Sequence, residues 1–63
     1  MTNFEAISAE IYPYNVDDNL ISKACLDNDV DEKQTYDKSQ KSSIAMSVID
    51  ILKKLIVLSS ESN

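Results

Sequence analysis

The chain has 63 residues, a net charge of −5, one cysteine, and neither histidine nor glycine. Six lysines and no arginine face eleven carboxylates, which disfavours direct nucleic-acid binding, where a basic patch neutralises phosphates and arginine is the main reader of guanine. Without histidine or a second cysteine there is no structural zinc site and no intrachain disulfide, and without glycine there is no phosphate-cradling loop of the Walker or dinucleotide type.

In chain order, Thr2 and Glu5 have the T-x-x-E spacing of a capping box. A first helix is predicted over residues 3–12, with Phe4, Ile7 and Ile11 recurring at three and four residues to make one apolar stripe. Pro13 ends it, because the residue before a proline is pushed out of the helical region. The turn Tyr12-Pro13-Tyr14 admits two readings. The tyrosines close the helix ends with ring inward and hydroxyl outward, or they form an aromatic contact surface, tyrosine being enriched at interfaces.

A second helix is predicted over residues 18–28, capped by Asp17, with Val16 and Ile21 at the spacing of a hydrophobic staple. Asp18 suits the positive end of its dipole. Leu20, Ile21, Ala24 and Cys25 share one face. Cys25 is read as a small buried hydrophobe, since no histidine is present to activate a thiol. The run from Asp27 to Glu32, DNDVDE, starts like a calcium loop, with Asp27, Asp29 and Asp31 alternating. It departs from that pattern where Glu32 replaces the turn glycine and Lys38 replaces the bidentate glutamate. No metal or other cofactor is expected, and the run is read as a solvated loop.

A third helix is predicted over residues 38–58, with Asp37 as cap, Gln40 at the return position of a capping box, and Tyr36 packing back on the core. Its apolar part, IAMSVIDILKKLIVL from Ile44 to Leu58, is the only long apolar segment. At about 100° per residue, Ile44, Ala45, Val48, Ile49, Leu52, Leu55 and Ile56 form the centre of an arc about 180° wide. Ile51 and Leu58 fall on its flank, and Ser47, Asp50, Lys53 and Lys54 on the other side. An arc this broad calls for two covering helices. Met46 and Val57 fall on the polar side, exposed in a monomer. Asp50 and Lys54 have the spacing of a helical ion pair. Three charges interrupt the segment, so it is not a membrane span, which needs about 20 apolar residues. Residues 59–63 are read as a frayed polar tail.

The expected fold is all-α: one small three-helix domain over residues 1–63, with two short helices packed on a long C-terminal helix. A domain of this size buries only about 60% of its unfolded surface, so well-packed helices or a partner subunit must stabilise it. No catalytic residues are assigned, and an enzyme is not expected, because there is no histidine, glycine loop or cofactor box and so short a chain scarcely forms a deep pocket of several hundred Å³. The candidate interface residues are Tyr12, Tyr14, Met46 and Val57. They suit self-association or a protein partner. The −5 charge and the DNDVDE run allow an alternative, a small acidic module or regulator that docks a basic protein.

Several short segments together carry a resemblance. They are Glu5-Ala6-Ile7, Tyr12-Pro13-Tyr14, Asp18-Asn19-Leu20-Ile21 running to Cys25-Leu26-Asp27, Tyr36, Val48-Ile49-Asp50-Ile51-Leu52, and Leu58-Ser59-Ser60-Glu61-Ser62. With these the chain resembles small helical proteins of Bacteroides-type phages and prophages, which are similar to the phage head–tail connector (neck) family. The resemblance implies an all-helical subunit that assembles in a ring between portal and tail and performs no catalysis. Proteins of this kind continue past the serine-rich segment into a glycine-containing extension, whereas this sequence stops at Asn63. The N-terminus has neither the basic start nor the apolar run of a secretory signal, and a lone cysteine fits a reducing compartment. Synthesis in the bacterial cytoplasm is therefore expected, and the resemblance adds incorporation into a phage particle.

Overall fold

A computed structural model describes residues 1–61, with side chains described for 1–57. It contains three α-helices: α1 (Asn3–Ile11), α2 (Asp18–Asp27) and α3 (Lys41–Glu61), the last entered through a 3-10 turn at Lys38–Gln40. No strand occurs among the described residues. The two short helices pack on the long one and against each other, as the breadth of the apolar arc requires.

The helix starts are written locally. At α1 the capping box forms in both directions: the Glu5 amide donates to Thr2 Oγ1 at 3.1 Å, and the Thr2 amide donates to Glu5 Oε1 at 2.8 Å. At α2 the Asn19 amide donates to Asp17 Oδ1 at 2.8 Å. Each cap satisfies helical N–H groups that lack an intrahelical acceptor. α1 ends at Ile11, because Tyr12 turns to extended backbone before Pro13. The turn is closed by the Tyr14 amide on the Ile11 carbonyl at 2.9 Å, with the Tyr12–Pro13 peptide in cis.

The segment DNDVDE differs from its reading as a solvated loop. Its first half is the C-cap of α2. Asp29 adopts φ 56°, its amide reaches the Leu26 carbonyl at 3.3 Å, and the Val30 amide reaches the Cys25 carbonyl at 2.8 Å. This bond pair is a Schellman motif, whose left-handed residue is usually glycine. In a chain with no glycine, aspartate takes the position, one of the few other residues that tolerate it. Val30 is buried beside Cys25, supplying the apolar contact that accompanies such a cap.

The second half ties the loop to the start of α1. The Asn3 amide donates to the Gln34 carbonyl at 2.8 Å and the Phe4 amide to the Glu32 carbonyl at 3.0 Å. The fully buried Asn3 side chain donates through Nδ2 to the Asp31 carbonyl at 2.9 Å. An isolated bridge joins Thr2 to Thr35, and Ser22 Oγ donates to Glu32 Oε2 at 2.7 Å. Loop carbonyls thus satisfy amides at the start of α1.

The core comprises Ile7, Ile11, Ile21, Ala24, Cys25, Val30, Ile44 and Ile51. Phe4, Val16, Leu20, Tyr36, Val48 and Leu52 are half-buried around it. Cys25 and Tyr36 lie where the sequence placed them. The inward face of α3 does not. Its buried line is Ile44, Ser47 and Ile51, whereas Ala45, Ile49 and Ile56 are exposed. Ile51 moves from the expected flank to the centre.

Ser47 explains the rotation. It is fully buried, its hydroxyl donating to the Ser43 carbonyl one turn back at 3.0 Å and approaching the Ala24 carbonyl at 3.4 Å. With its polar atom bonded and its volume small, it lets α2 approach α3 closely at Ala24. A larger apolar residue would hold the helices apart.

Three further expectations are corrected. Asp50 does not pair with Lys54 but accepts from Asn28 Nδ2 at 3.0 Å, joining the end of α2 to α3. The only ion pair among the described residues is Lys23–Asp27 at 2.7 Å, and it is exposed. The Asp37–Gln40 capping box does not form: the Asp37 side chain makes no capping bond to the backbone and accepts instead from Ser39 Oγ at 3.1 Å. The helix runs on through Ser59, Ser60 and Glu61, where a frayed tail was expected; Ser62 and Asn63 lie outside the described residues.

Candidate functional site

The side of α3 turned away from the core leaves a line of apolar side chains open. α1 and α2 cover α3 from two directions, and the remaining arc starts at the edge of α1. Along it run Ala45, Ile49, Leu52 and Ile56, spaced four, three and four residues apart, which keeps them on one line of an α-helix. Ile49 is 42% exposed and Ile56 64%. Leu52 is half-buried at the edge of the core.

Two open clefts lie beside this strip. One, of about 500 Å³, is lined by Tyr14, Leu52, Leu55 and Ile56. The other, of about 270 Å³, is lined by Glu10, Tyr36, Lys41, Ile44, Ala45, Val48 and Ile49. The α3 residues of the first repeat those of the second one heptad on: Ala45, Val48 and Ile49 become Leu52, Leu55 and Ile56. Tyr14, 64% exposed, stands over one end of the strip, and Glu10 and Lys41 flank the other.

The four candidate interface residues divide into two pairs. Tyr12 and Tyr14 are largely exposed at the α1 edge, so the reading in which they close the helix ends does not hold. The structure brings Tyr14 to Leu52, Leu55 and Ile56. Met46 and Val57 are half-exposed, but they sit about 100° further round α3, towards Asp50 and the α2 edge. Ile49 and Ile56, which the sequence reading assigned to the core, lie between the pairs. One sequence signal for them was present, the heptad repeat of Ala45, Val48 and Ile49 as Leu52, Leu55 and Ile56.

The acidic groups are largely engaged within the fold. Glu5, Asp17, Asp27, Asp31, Glu32, Asp37 and Asp50 each accept a hydrogen bond from a nearby donor. Thr2, chiefly through its backbone amide, holds the Glu5 carboxyl below its ordinary value. Asp27 holds the Lys23 ammonium above its own. Burial pushes the Cys25 thiol up, and the nearby Glu32 and Asp31 charges add to this, so the thiol is kept protonated and inert. No cluster of three or more His, Cys, Asp or Glu able to hold a metal occurs among the described residues. No described helix is long and apolar enough to cross a membrane.

The whole chain, residues 1–63, matches the model of a family of unknown function, DUF6706. The chain belongs to that family. No curated protein and no solved structure matches it. In this DUF6706 member the uncovered side of α3 and the tyrosine turn beside it leave Ile49, Ile56 and Tyr14 open to solvent, with Glu10 and Lys41 as the charged groups at one end.

Proposed function

We propose that this DUF6706 chain is a non-enzymatic assembly protein, a head–tail connector-like subunit that presents the outer side of α3 to a neighbouring protein. The observation that carries this reading is the strip Ala45–Ile49–Leu52–Ile56, left in water beside Tyr14 although the chain has little apolar surface to spare. A contiguous apolar patch on a small protein marks an interaction site. The connector assignment adds the resemblance in sequence to this physical feature.

The acidic-module alternative has weaker support. Most carboxylates cap helices or bind loop and side-chain donors, which leaves Glu10, Asp18 and Asp29 as exposed acids without such a bond among the described side chains. They do not form one patch comparable to the strip.

The test is incorporation. Particles released by a host carrying the gene are purified and probed for this chain by mass spectrometry. The connector reading expects it at a fixed ratio to the portal-type protein, and expects Ile49→Glu/Ile56→Glu to abolish incorporation. Intact particles that contain no trace of the chain would refute the reading.

A further inference from the structure

We propose that the strip on α3 is covered by the same strip of a second copy, the two helices running antiparallel about a two-fold axis. The inference rests on the reading that this side of α3 is an interface, and it names the partner.

Self-complementarity points to a second copy. The four strip residues are symmetric about the midpoint between Asp50 and Ile51, so a two-fold axis there sets Ala45 against Ile56 of the other copy and Ile49 against its Leu52. A closed pair of this kind requires one patch to match itself under the rotation. The two ends of the strip also differ in a complementary way. Tyr14 projects at the Leu52–Ile56 end, and the cleft flanked by Glu10, Tyr36 and Lys41 opens at the Ala45–Ile49 end. Both features lie on the α1 side of α3. A two-fold axis perpendicular to the helices brings like sides together with ends exchanged. Tyr14 of each copy then enters the cleft of the other, its ring against Val48 and Ile49 and its hydroxyl beside Glu10 and Lys41. A parallel pair brings unlike sides together and leaves both clefts empty.

The area sets the strength. From Lys41, at the outer end of the cleft, to Ile56 the cleft and strip together run about 22 Å along the axis, and the molecule is about 20 Å across, so each copy buries at most on the order of 450 Å². A total of at most about 900 Å² falls in the range of weak, transient pairs. The dimer is therefore concentration-dependent. Its axial charges are few, because Asp50 and Lys54 lie towards α2 and Lys53 at the far rim.

Sedimentation equilibrium from micromolar to millimolar protein tests the pairing. The expected mass rises from 7.1 kDa towards twice that value. Ile49→Glu/Ile56→Glu weakens association by roughly 100-fold or more, since each carboxylate would be buried without a partner. Tyr14→Ala weakens it less, and Met46→Lys/Val57→Lys leaves it unchanged.

Orientation is read from a nitroxide on Ser42→Cys in the otherwise wild-type chain, where the buried Cys25 stays unlabelled. The antiparallel pair separates the two labelled positions by about 25 Å along the axis. A parallel pair places them about 10 Å apart, and that distance would overturn the proposal. So would a single 7.1 kDa species at every concentration, or association lost in Met46→Lys/Val57→Lys and kept in Ile49→Glu/Ile56→Glu. Each of these leaves the assembly reading to be decided by particle incorporation. The spin-label measurement needs no destabilising variant, so a folding failure of the glutamate pair does not prevent the test.

Discussion

Replacing Ile51 and Ile49 separately by alanine tests which way α3 faces. The two positions differ by two residues, and hydropathy alone favours Ile49 as the more buried. In the structure Ile51 is completely buried, whereas Ile49 retains 42% of its surface. Isoleucine to alanine removes three carbons, worth about 0.8 kcal/mol each when fully buried. At Ile51 a cavity term adds to this, and typical losses at such sites are about 2–5 kcal/mol. Alanine's better helix propensity returns a few tenths of a kcal/mol at both positions. The expected loss is thus about 2.5–3 kcal/mol for Ile51→Ala. It is about 0.5–1 kcal/mol for Ile49→Ala, whose open side leaves no enclosed cavity. A domain of this size has roughly 3–9 kcal/mol in total, so Ile51→Ala removes a large share of it. Urea unfolding followed by helical circular dichroism in dilute solution, where pairing is negligible, reads both values. Thermal midpoints should differ by about 10 °C or more between the variants. Equal losses, or a larger loss at Ile49, would refute the placement of α3.

Three other substitutions probe the features that set this geometry. Asp29→Gly relieves a left-handed backbone position and should raise stability by up to about 1 kcal/mol, offset in part by unfolded-state entropy; a drop in the thermal midpoint would contradict the Schellman cap. Ser47→Leu should cost about 1–3 kcal/mol by forcing α2 and α3 apart, while Ser47→Ala should be nearly neutral, and tolerance of leucine in urea unfolding would show that the helices do not meet closely there. Glu5 has a folded-state value held below its ordinary 4.5, so its contribution to stability is present above that pH and is lost as the pH falls through the lower, folded value. Glu5→Gln should therefore flatten the acid limb of the stability–pH profile, and an unchanged limb would count against the capping box.

The parts of the fold legible in the sequence are those set by near neighbours. The Thr2–Glu5 box, the Asp17 cap and the stop before Pro13 depend on residues a few positions apart, and the periodicity of Ile7, Ile11, Ile21 and Ala24 places them inward. The parts that were not legible depend on distant partners. Nothing near Asn3 announces that its amide group will hold the Asp31 carbonyl, and nothing near Asp50 announces Asn28. Ser47 was misplaced because hydropathy ranks a serine as polar, although at three residues from Ile44 and four from Ile51 it lies on the buried line. The same preference for hydropathy over size drew Ile49 and Ile56 inward. The candidate site was therefore half legible: the exposure of Met46 and Val57 followed from their position on the helix, but the strip beside Tyr14 emerges only when α1 and α2 are seen to leave it open.

The most direct test of the account is a nuclear magnetic resonance measurement on isoleucine δ1-methyl groups in the presence of a soluble paramagnetic agent, at low and high protein concentration. Ile7, Ile21, Ile44 and Ile51, all buried, are expected to stay sharp throughout. Ile49 and Ile56 should broaden in dilute solution and recover as the concentration rises. Broadening of Ile51 together with protection of Ile49 in dilute solution would contradict the orientation of α3. Broadening of Ile49 and Ile56 at every concentration would contradict pairing through the strip.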